Sequence, residues 1–187
     1  MINRHPEAAV FTVSEEVLAS VSGLKTPNSC LIVVPLPDEQ LPAATTGWVL
    51  ALESIRDPGN LGTLIRIADW FGIRQIVGTP DCVDIYNPKV VQAAMGGHLR
   101  MQFHFTELEP YLKTLSVPIL AAALDGMNMY EMQPVSSGVL IIGNESRGIS
   151  PGLLRMASEK VTIPRLGGAE SLNAAVAAGI LCAHFIR

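Results

Sequence analysis

Short apolar runs alternate with stretches of helical periodicity along most of this chain. The runs at residues 49–52, 117–123 and 138–142 are bounded by turn-forming residues, which is typical of buried strands. From residue 61 to residue 71, apolar side chains recur at intervals of three and four, which predicts a helix with one apolar stripe. The predicted strands are 31–34, 49–52, 75–77, 101–105, 117–123, 138–142 and 161–163. The predicted helices are 61–71, 88–95, 107–115, 151–157 and a terminal helix from 174.

Strands that alternate with helices predict an α/β fold, in which helices cover both faces of a parallel sheet. The chain has neither a G-x-G-x-x-G turn after its first strand nor a G-x-x-x-x-G-K-[ST] loop, so Rossmann methyltransferases and P-loop enzymes fit poorly. Residues 35–47 contain three prolines and read as a linker. We therefore predict an N-terminal part at 1–46, linker included, and a main domain at 47–187.

Composition narrows the class of protein. The chain has 187 residues, 49% of them hydrophobic, so it is long enough to bury a core. Three scattered cysteines without a CxxC pair predict reduced thiols in a cytoplasmic enzyme. The four histidines lack metal-ligand spacing, and we predict no metal site. The apolar stretch near the C-terminus is too short to span a bilayer, and no signal peptide is recognisable.

Three polar, glycine-containing turns each follow a predicted strand. Residues 57–62 (DPGNLG) precede the 61–71 helix, where Asn60 can cap the helix and Arg66, flanked by isoleucines, is expected to be partly buried and paired. Residues 143–148 (GNESRG) place Glu145 and Arg147 where open α/β sheets bind ligands. Ser171 and Asn173 stand at the start of the last helix, whose N-terminus suits an oxygen-rich ligand.

Each turn also has a structural interpretation. Ser171 alone is typical of a helix cap beside a Gly-Gly turn, and Glu145 with Arg147 is compatible with a polar loop that holds an internal ion pair. Three such turns, each after a buried strand, favour one shared site.

These three motifs resemble those of the SpoU/TrmH branch of the SPOUT RNA methyltransferases. The resemblance covers about residue 49 to the C-terminus, with the motifs in the family's order. It implies a deep trefoil knot in the C-terminal part, an exception to the usual unknotted topology. It also implies transfer of a methyl group from S-adenosylmethionine to a ribose 2′-hydroxyl of RNA.

The resemblance assigns residues to two roles. The implied catalytic set is Asn60, Arg66, Glu145, Ser171 and Asn173. The implied cofactor-binding set, chosen by position at strand ends, is Ala122, Ala123, Leu124, Ile142, Gly143, Ile163 and Leu172. A guanidinium keeps its proton in proteins, so for Arg66 we favour gripping a phosphate and stabilising a developing alkoxide over acting as the base. Glu145 can orient Arg66 or Asn60, or serve as the base.

Partners follow from the same resemblance. A homodimer is expected through the terminal helix, with Ala174, Ala178, Ile180 and Leu181 at the contact; burial within one subunit is the alternative. Residues 13–34 resemble the end of a ribosomal-protein-like RNA-binding domain, which favours ribosomal RNA over transfer RNA as the substrate.

The net charge of −4 is unusual for an RNA-binding protein, because cations that neutralise phosphates supply most nonspecific affinity. Either a local basic patch or a scatter of solubilising charges fits the arginines and lysine at 56, 66, 74, 89, 100, 147, 155 and 165. A knotted protein that binds cofactor or RNA without turnover is a rival hypothesis, and methylation of a base or protein is a second.

Overall fold

The computed structural model describes residues 8–36 and 47–186, which form two compact units. The first unit contains one helix, α1 (Glu15–Val21), which begins at Ser14, whose Oγ accepts a hydrogen bond from the Val17 backbone N–H. The predicted strand at 31–34 is wrong, because no strand of the described residues pairs with it and Leu31 to Val34 are exposed. An apolar run alone does not supply the hydrogen-bonded neighbour that a strand needs.

The second unit is an α/β layer structure, as predicted. Its elements in chain order are β1 (Trp48–Leu52), α2 (Pro58–Trp70), β2 (Gln75–Gly78), α3 (Pro88–Ala94), β3 (Gln102–Phe105), α4 (Leu108–Lys113), β4 (Ile119–Asn128), β5 (Gly138–Ile142), α5 (Pro151–Met156), β6 (Glu159–Thr162) and α6 (Ala174–Phe185). Short 3₁₀ helices lie at Gly97–Arg100 and Met129–Glu131.

All six strands are parallel and lie in the order β3-β2-β1-β5-β4-β6. Side chains of β1 alternate between the two faces, with Leu50 and Leu52 in one apolar cluster and Val49 and Ala51 in the other. Helices α2, α3 and α6 cover the first face, and α4 and α5 cover the second. The prediction of helices on both faces is confirmed, whereas the knot stays a prediction.

The sheet order determines which loops meet. β1 pairs with β5 in register from Trp48 opposite Gly138 to Leu52 opposite Ile142, so the loops after these two strands leave side by side. β4 lies between β5 and β6, and its pairing with β6 is interrupted between Ala122 and Met127. The strand ends of β5, β4 and β6 therefore form one edge, where parallel sheets place their ligand sites.

Candidate functional site

A cavity of about 810 Å³ lies at the carboxyl edge of β4, β5 and β6. All seven residues of the implied cofactor-binding set line it: Ala122, Ala123, Leu124, Ile142, Gly143, Ile163 and Leu172. Leu124 and Leu172 are 74% and 46% exposed, so apolar surface faces this open space. Its volume falls in the range of cofactor sites in proteins.

Three polar side chains from the three motifs are joined beside this cavity. The Asn60 side-chain amide nitrogen donates to Glu145 Oε1 at 2.5 Å, and the Asn60 amide oxygen accepts from Asn173 Nδ2 at 2.7 Å. Glu145 lines the cavity. Asn60 therefore connects the loop after β5 with the start of α6. Of the two partners predicted for Glu145, Arg66 and Asn60, it is Asn60 that contacts the carboxylate. An ion pair between Glu145 and Arg147 is not present in the described structure.

Of the two helices at the site, α6 begins at Ala174 as predicted, whereas α2 begins at Pro58, three residues before its predicted start. Asp57 caps α2, because its Oδ1 accepts from the Asn60 backbone N–H at 2.7 Å. This leaves the Asn60 side chain free to reach Glu145, so the predicted Asn60 cap is wrong. Asn173 caps α6, with Oδ1 accepting from the N–H groups of Ala175 and Val176. Ser171 lies before the helix, exposed, and lines the cavity.

Arg66 differs from the expectation of a partly buried, paired guanidinium. Its side chain is exposed and makes no hydrogen bond or ion pair with the other described residues of its unit, 47–186. It lies six residues after Asn60 on α2, roughly 9 Å along the helix axis, and is not among the residues that line the cavity. Its neighbours Ile65 and Ile67 contact the core, while the side of α2 that carries Arg66 faces outward.

Two arginines at the cavity belong to neither the implied catalytic set nor the implied cofactor-binding set. Arg147 and Arg165 both line it and are exposed. Their positions inside and beside the motif loops were the available signal. Two other members of the possible basic patch are paired with carboxylates, Arg56 with Asp81 at 2.9 Å and Arg100 with Asp69 at 2.7 Å. Neither Arg147 nor Arg165 forms an ion pair within the described structure, although Arg165 Nη1 donates to the Ala169 carbonyl oxygen at 3.2 Å.

Two groups, Asp81 and Cys182, have pKa values far from their ordinary ones. Hydrogen bonds from Thr79, Arg56 and Ser54 lower the pKa of its carboxyl to about 2. The Cys182 thiol lies in the core, and its desolvation there raises its pKa to about 12. Among the described residues, no group of three or more His, Cys, Asp or Glu side chains is arranged to hold a metal ion. Nor does any described helix have the length and apolarity to cross a membrane.

The cavity fits a nucleoside cofactor bound largely by backbone. Gly143 follows β5, and a Cβ there would come within 2.5 Å of the Gly148 carbonyl oxygen. Gly148 itself has φ of +68°, a conformation that favours glycine. Glycine at position 143 thus allows the loop backbone to close tightly on itself at the cavity, while Leu124 and Leu172 offer apolar surface for a planar base.

The residues predicted to form the dimer contact on α6 are mostly buried within one chain. Ala174, Ala178 and Leu181 are buried inside one chain, where they pack on the core, and Ile180 is partly buried. The burial alternative therefore holds for three of the four residues. The side of α6 that remains exposed carries Val176, which is 50% exposed, and Ala183.

Known proteins with similar sequences share this architecture. The chain is 36% identical over 178 residues to the 23S rRNA (guanosine(2553)-2′-O)-methyltransferase RlmP of Bacillus subtilis, covering 93% of this chain and 71% of that protein. A putative RNA methyltransferase of the TrmH family from Porphyromonas gingivalis superposes with a TM-score of 0.78 and 36% identity over 90% of this chain and 70% of that one.

A second solved structure is also similar to this chain. The AdoMet-bound rRNA methyltransferase from Sinorhizobium meliloti gives a TM-score of 0.79 at 29% identity, covering 91% of this chain and 69% of that one. The profile of the SpoU rRNA methylase family matches residues 47–183, which is most of the chain. The resemblance in the three motifs is thereby confirmed, and the chain belongs to the SpoU rRNA methylase family.

Proposed function

We propose that this protein transfers a methyl group from S-adenosylmethionine to a ribose 2′-hydroxyl of ribosomal RNA. The observation that carries the proposal is the Glu145–Asn60–Asn173 bridge at the edge of a cavity lined by every residue of the implied cofactor set. The names of the similar proteins, an rRNA 2′-O-methyltransferase and an AdoMet-bound rRNA methyltransferase, support the reaction and the cofactor.

The chain's own residues have separate tasks in this reaction. When bound, S-adenosylmethionine supplies an electrophilic methyl group on its sulfonium sulfur. Asn60, fixed by Glu145 and Asn173, is aligned to hold the ribose with Ser171. Such orientation of the reacting oxygen is worth several kcal/mol, because a misplaced nucleophile loses the advantage of proximity. Leu124, Leu172 and the backbone at Gly143 line the cavity and would hold the cofactor, the two leucines by apolar contact with its base.

Arg66 grips an RNA phosphate and stabilises negative charge that develops on the 2′-oxygen. Its guanidinium is exposed and has no partner in the part of its unit that the structure describes, which supports this role, since five fixed donors match phosphate geometry. Because Arg66 does not line the cavity of its own chain, we infer that it acts in the site of a second subunit. The exposed sides of α2 and α6 are the proposed contact, and the two helices already pack together, with Ile67 3.6 Å from a Cβ built at Gly179.

A mixing experiment tests the shared site. Arg66→Ala and Glu145→Ala variants, each inactive alone, are co-expressed with different tags. In a two-fold dimer with shared sites, about a quarter of all sites regain both side chains by random pairing. Recovery of about that fraction of methyl transfer supports the arrangement. No recovery, although mixed dimers are isolated, contradicts it, and so does full activity in a monomer.

The choice of RNA is tested in cells. Mapping of 2′-O-methyl marks on total RNA, with and without the gene, is expected to reveal one lost mark on ribosomal RNA. A lost mark on transfer RNA alone would support the alternative substrate. Cofactor binding without methyl transfer to any RNA would support the rival hypothesis of a binding protein, and the reduced cysteines support a cytoplasmic location for either.

A further inference from the structure

The chain that leaves β1 holds both ends of the loop carrying Glu145. This loop, residues 143–150, follows β5 and is termed the Glu145 loop. At its start, Asn144 Nδ2 donates to the Ser54 carbonyl oxygen at 2.9 Å. At its end, the Ser150 backbone N–H donates to Glu53 Oε2 at 2.7 Å. Neither Glu53 nor Ser54 lines the cavity, so neither is part of the site described above.

The Glu145 loop is also closed on itself. Asn144 and Gly148 exchange two backbone hydrogen bonds, of 3.1 and 2.8 Å, and Asn144 Oδ1 accepts from the N–H groups of Ser146 and Arg147. Asn144 is thus fixed on one side to Ser54 and on the other to the residues that flank Glu145. A shift of Asn144 is therefore transmitted to the Glu145 carboxylate.

Ser54 is itself held in place by a polar cluster after β2. Its backbone has φ of +55°, an uncommon conformation for a residue with a side chain. Its N–H donates to Thr79 Oγ1 at 2.8 Å, and its hydroxyl donates to Asp81 Oδ2 at 2.7 Å. Thr79 also donates to Asp81 at 2.6 Å, and Arg56 donates at 2.9 Å. Asp81 therefore accepts hydrogen bonds from Ser54, Thr79 and Arg56, and these contacts hold Ser54 with its carbonyl oxygen directed at Asn144.

We propose that Glu53 and Asp81 are positioning residues, which hold the Glu145 loop at its two ends and thereby place Glu145 for its contact with Asn60. The proposal rests on the proposed function for its effect on methyl transfer, and on the hydrogen bonds alone for its effect on the loop. Glu53 acts directly on the Ser150 end, and Asp81 acts through Ser54 on the Asn144 end.

The test compares Asp81→Ala and Glu53→Ala with the matched control Asp69→Ala. Asp69 also accepts from an exposed arginine, Arg100, and its pKa is lowered by that contact, but it does not touch the loop. In the two test variants we expect amide hydrogen exchange at Ser146 and Arg147 to be roughly tenfold faster or more, because opening of the loop becomes less costly. The Asp69→Ala variant should exchange like the wild type at these amides.

Turnover is measured on the same variants. At saturating cofactor and RNA, kcat should fall by about tenfold or more in both test variants, since misplacement of a catalytic group by 1 Å can cost even more. Glu53→Gln, which keeps an oxygen acceptor for Ser150, should restore both the exchange rate and kcat. Asp81→Asn, which keeps one acceptor oxygen, should restore part of each.

The two readouts separate the possible failures. Unchanged exchange in both alanine variants overturns the proposal, whatever the activity. Faster exchange with unchanged kcat overturns the positioning role, because loosening of the Glu145 loop would then have no effect on the reaction. If the wild type methylates no RNA, the proposed function fails, and exchange alone then decides whether Glu53 and Asp81 hold the loop.

Discussion

Replacement of Asn60 tests the bridge at the centre of the proposed site. Asn60→Ala removes both the donor to Glu145 and the acceptor for Asn173. All three side chains are at least partly accessible, so each lost hydrogen bond should cost only about 0.5–1.5 kcal/mol of unfolding free energy. We therefore expect the melting temperature to fall by only a few degrees. The α2 cap is unaffected, because Asp57 provides it.

The effect on methyl transfer should be much larger than the effect on stability. Loss of one preorganised polar group from a reacting centre costs roughly 10²–10³ in rate, or about 2.7–4 kcal/mol. Asn60→Asp should be worse than Asn60→Ala, although it preserves shape. Two carboxylates about 4 Å apart repel by about 4 kcal/mol at an effective dielectric constant near 20, and the variant sets a carboxylate against Glu145.

The assay is single-turnover transfer from labelled S-adenosylmethionine to ribosomal RNA, with a thermal melt of each variant. Asn87→Ala is the matched control: Asn87 also lies at a helix start, where its Oδ1 accepts from the Lys89 N–H, but it does not contact the site. It should lose some stability and no activity. If Asn60→Asp transferred methyl groups as fast as the wild type, the proposed role of the Asn60 amide would be refuted.

Three further predictions concern separate parts of the molecule. Arg66→Ala should lower methyl transfer by about two orders of magnitude with cofactor affinity unchanged in calorimetric titration, whereas Leu172→Ala should weaken cofactor affinity; the reverse pattern would contradict both roles. Asp81 has a folded-state pKa of about 2, below the unfolded value of about 3.9, so the stability it contributes is present above pH 4 and is lost as the pH falls towards 2. The difference in melting temperature between wild type and Asp81→Asn should become smaller as the pH falls from 4 to 2. A difference that stays constant over this pH range would contradict the stabilising role of the ionised Asp81 carboxylate. Gly62→Ala should destabilise by about 1–3 kcal/mol in denaturant titration, because its Cβ would lie 2.5 Å from Ala93 Cβ and 2.8 Å from the Val90 oxygen, while Gly47→Ala, with nothing within 4 Å, should be neutral.

The sequence was sufficient for the layer architecture. Strands and helices of the second unit were predicted within about three residues of their observed bounds, because apolar periodicity and turn residues are local signals, but β4 continues to Asn128, five residues beyond its predicted end. The same signals failed at 31–34, where the apolar run has no pairing strand among the described residues. Helix α1 was not predicted, although Ser14 is a favoured cap and two glutamates follow it.

The sequence predicted several of the residues that lie at the site but not which of them contact one another. The motifs identified Asn60, Glu145 and Asn173, yet 85 and 113 residues separate the bonded pairs, and no local pattern encodes such contacts. Only the order of β1 beside β5 and β4 beside β6 brings the three loops to one edge. The capping role of Asp57, the exposure of Arg66 and the contacts of Glu53 and Asp81 with the Glu145 loop likewise depend on where distant strands end. Composition and periodicity thus determine which elements form, whereas pairing between strands far apart in the chain determines which side chains meet.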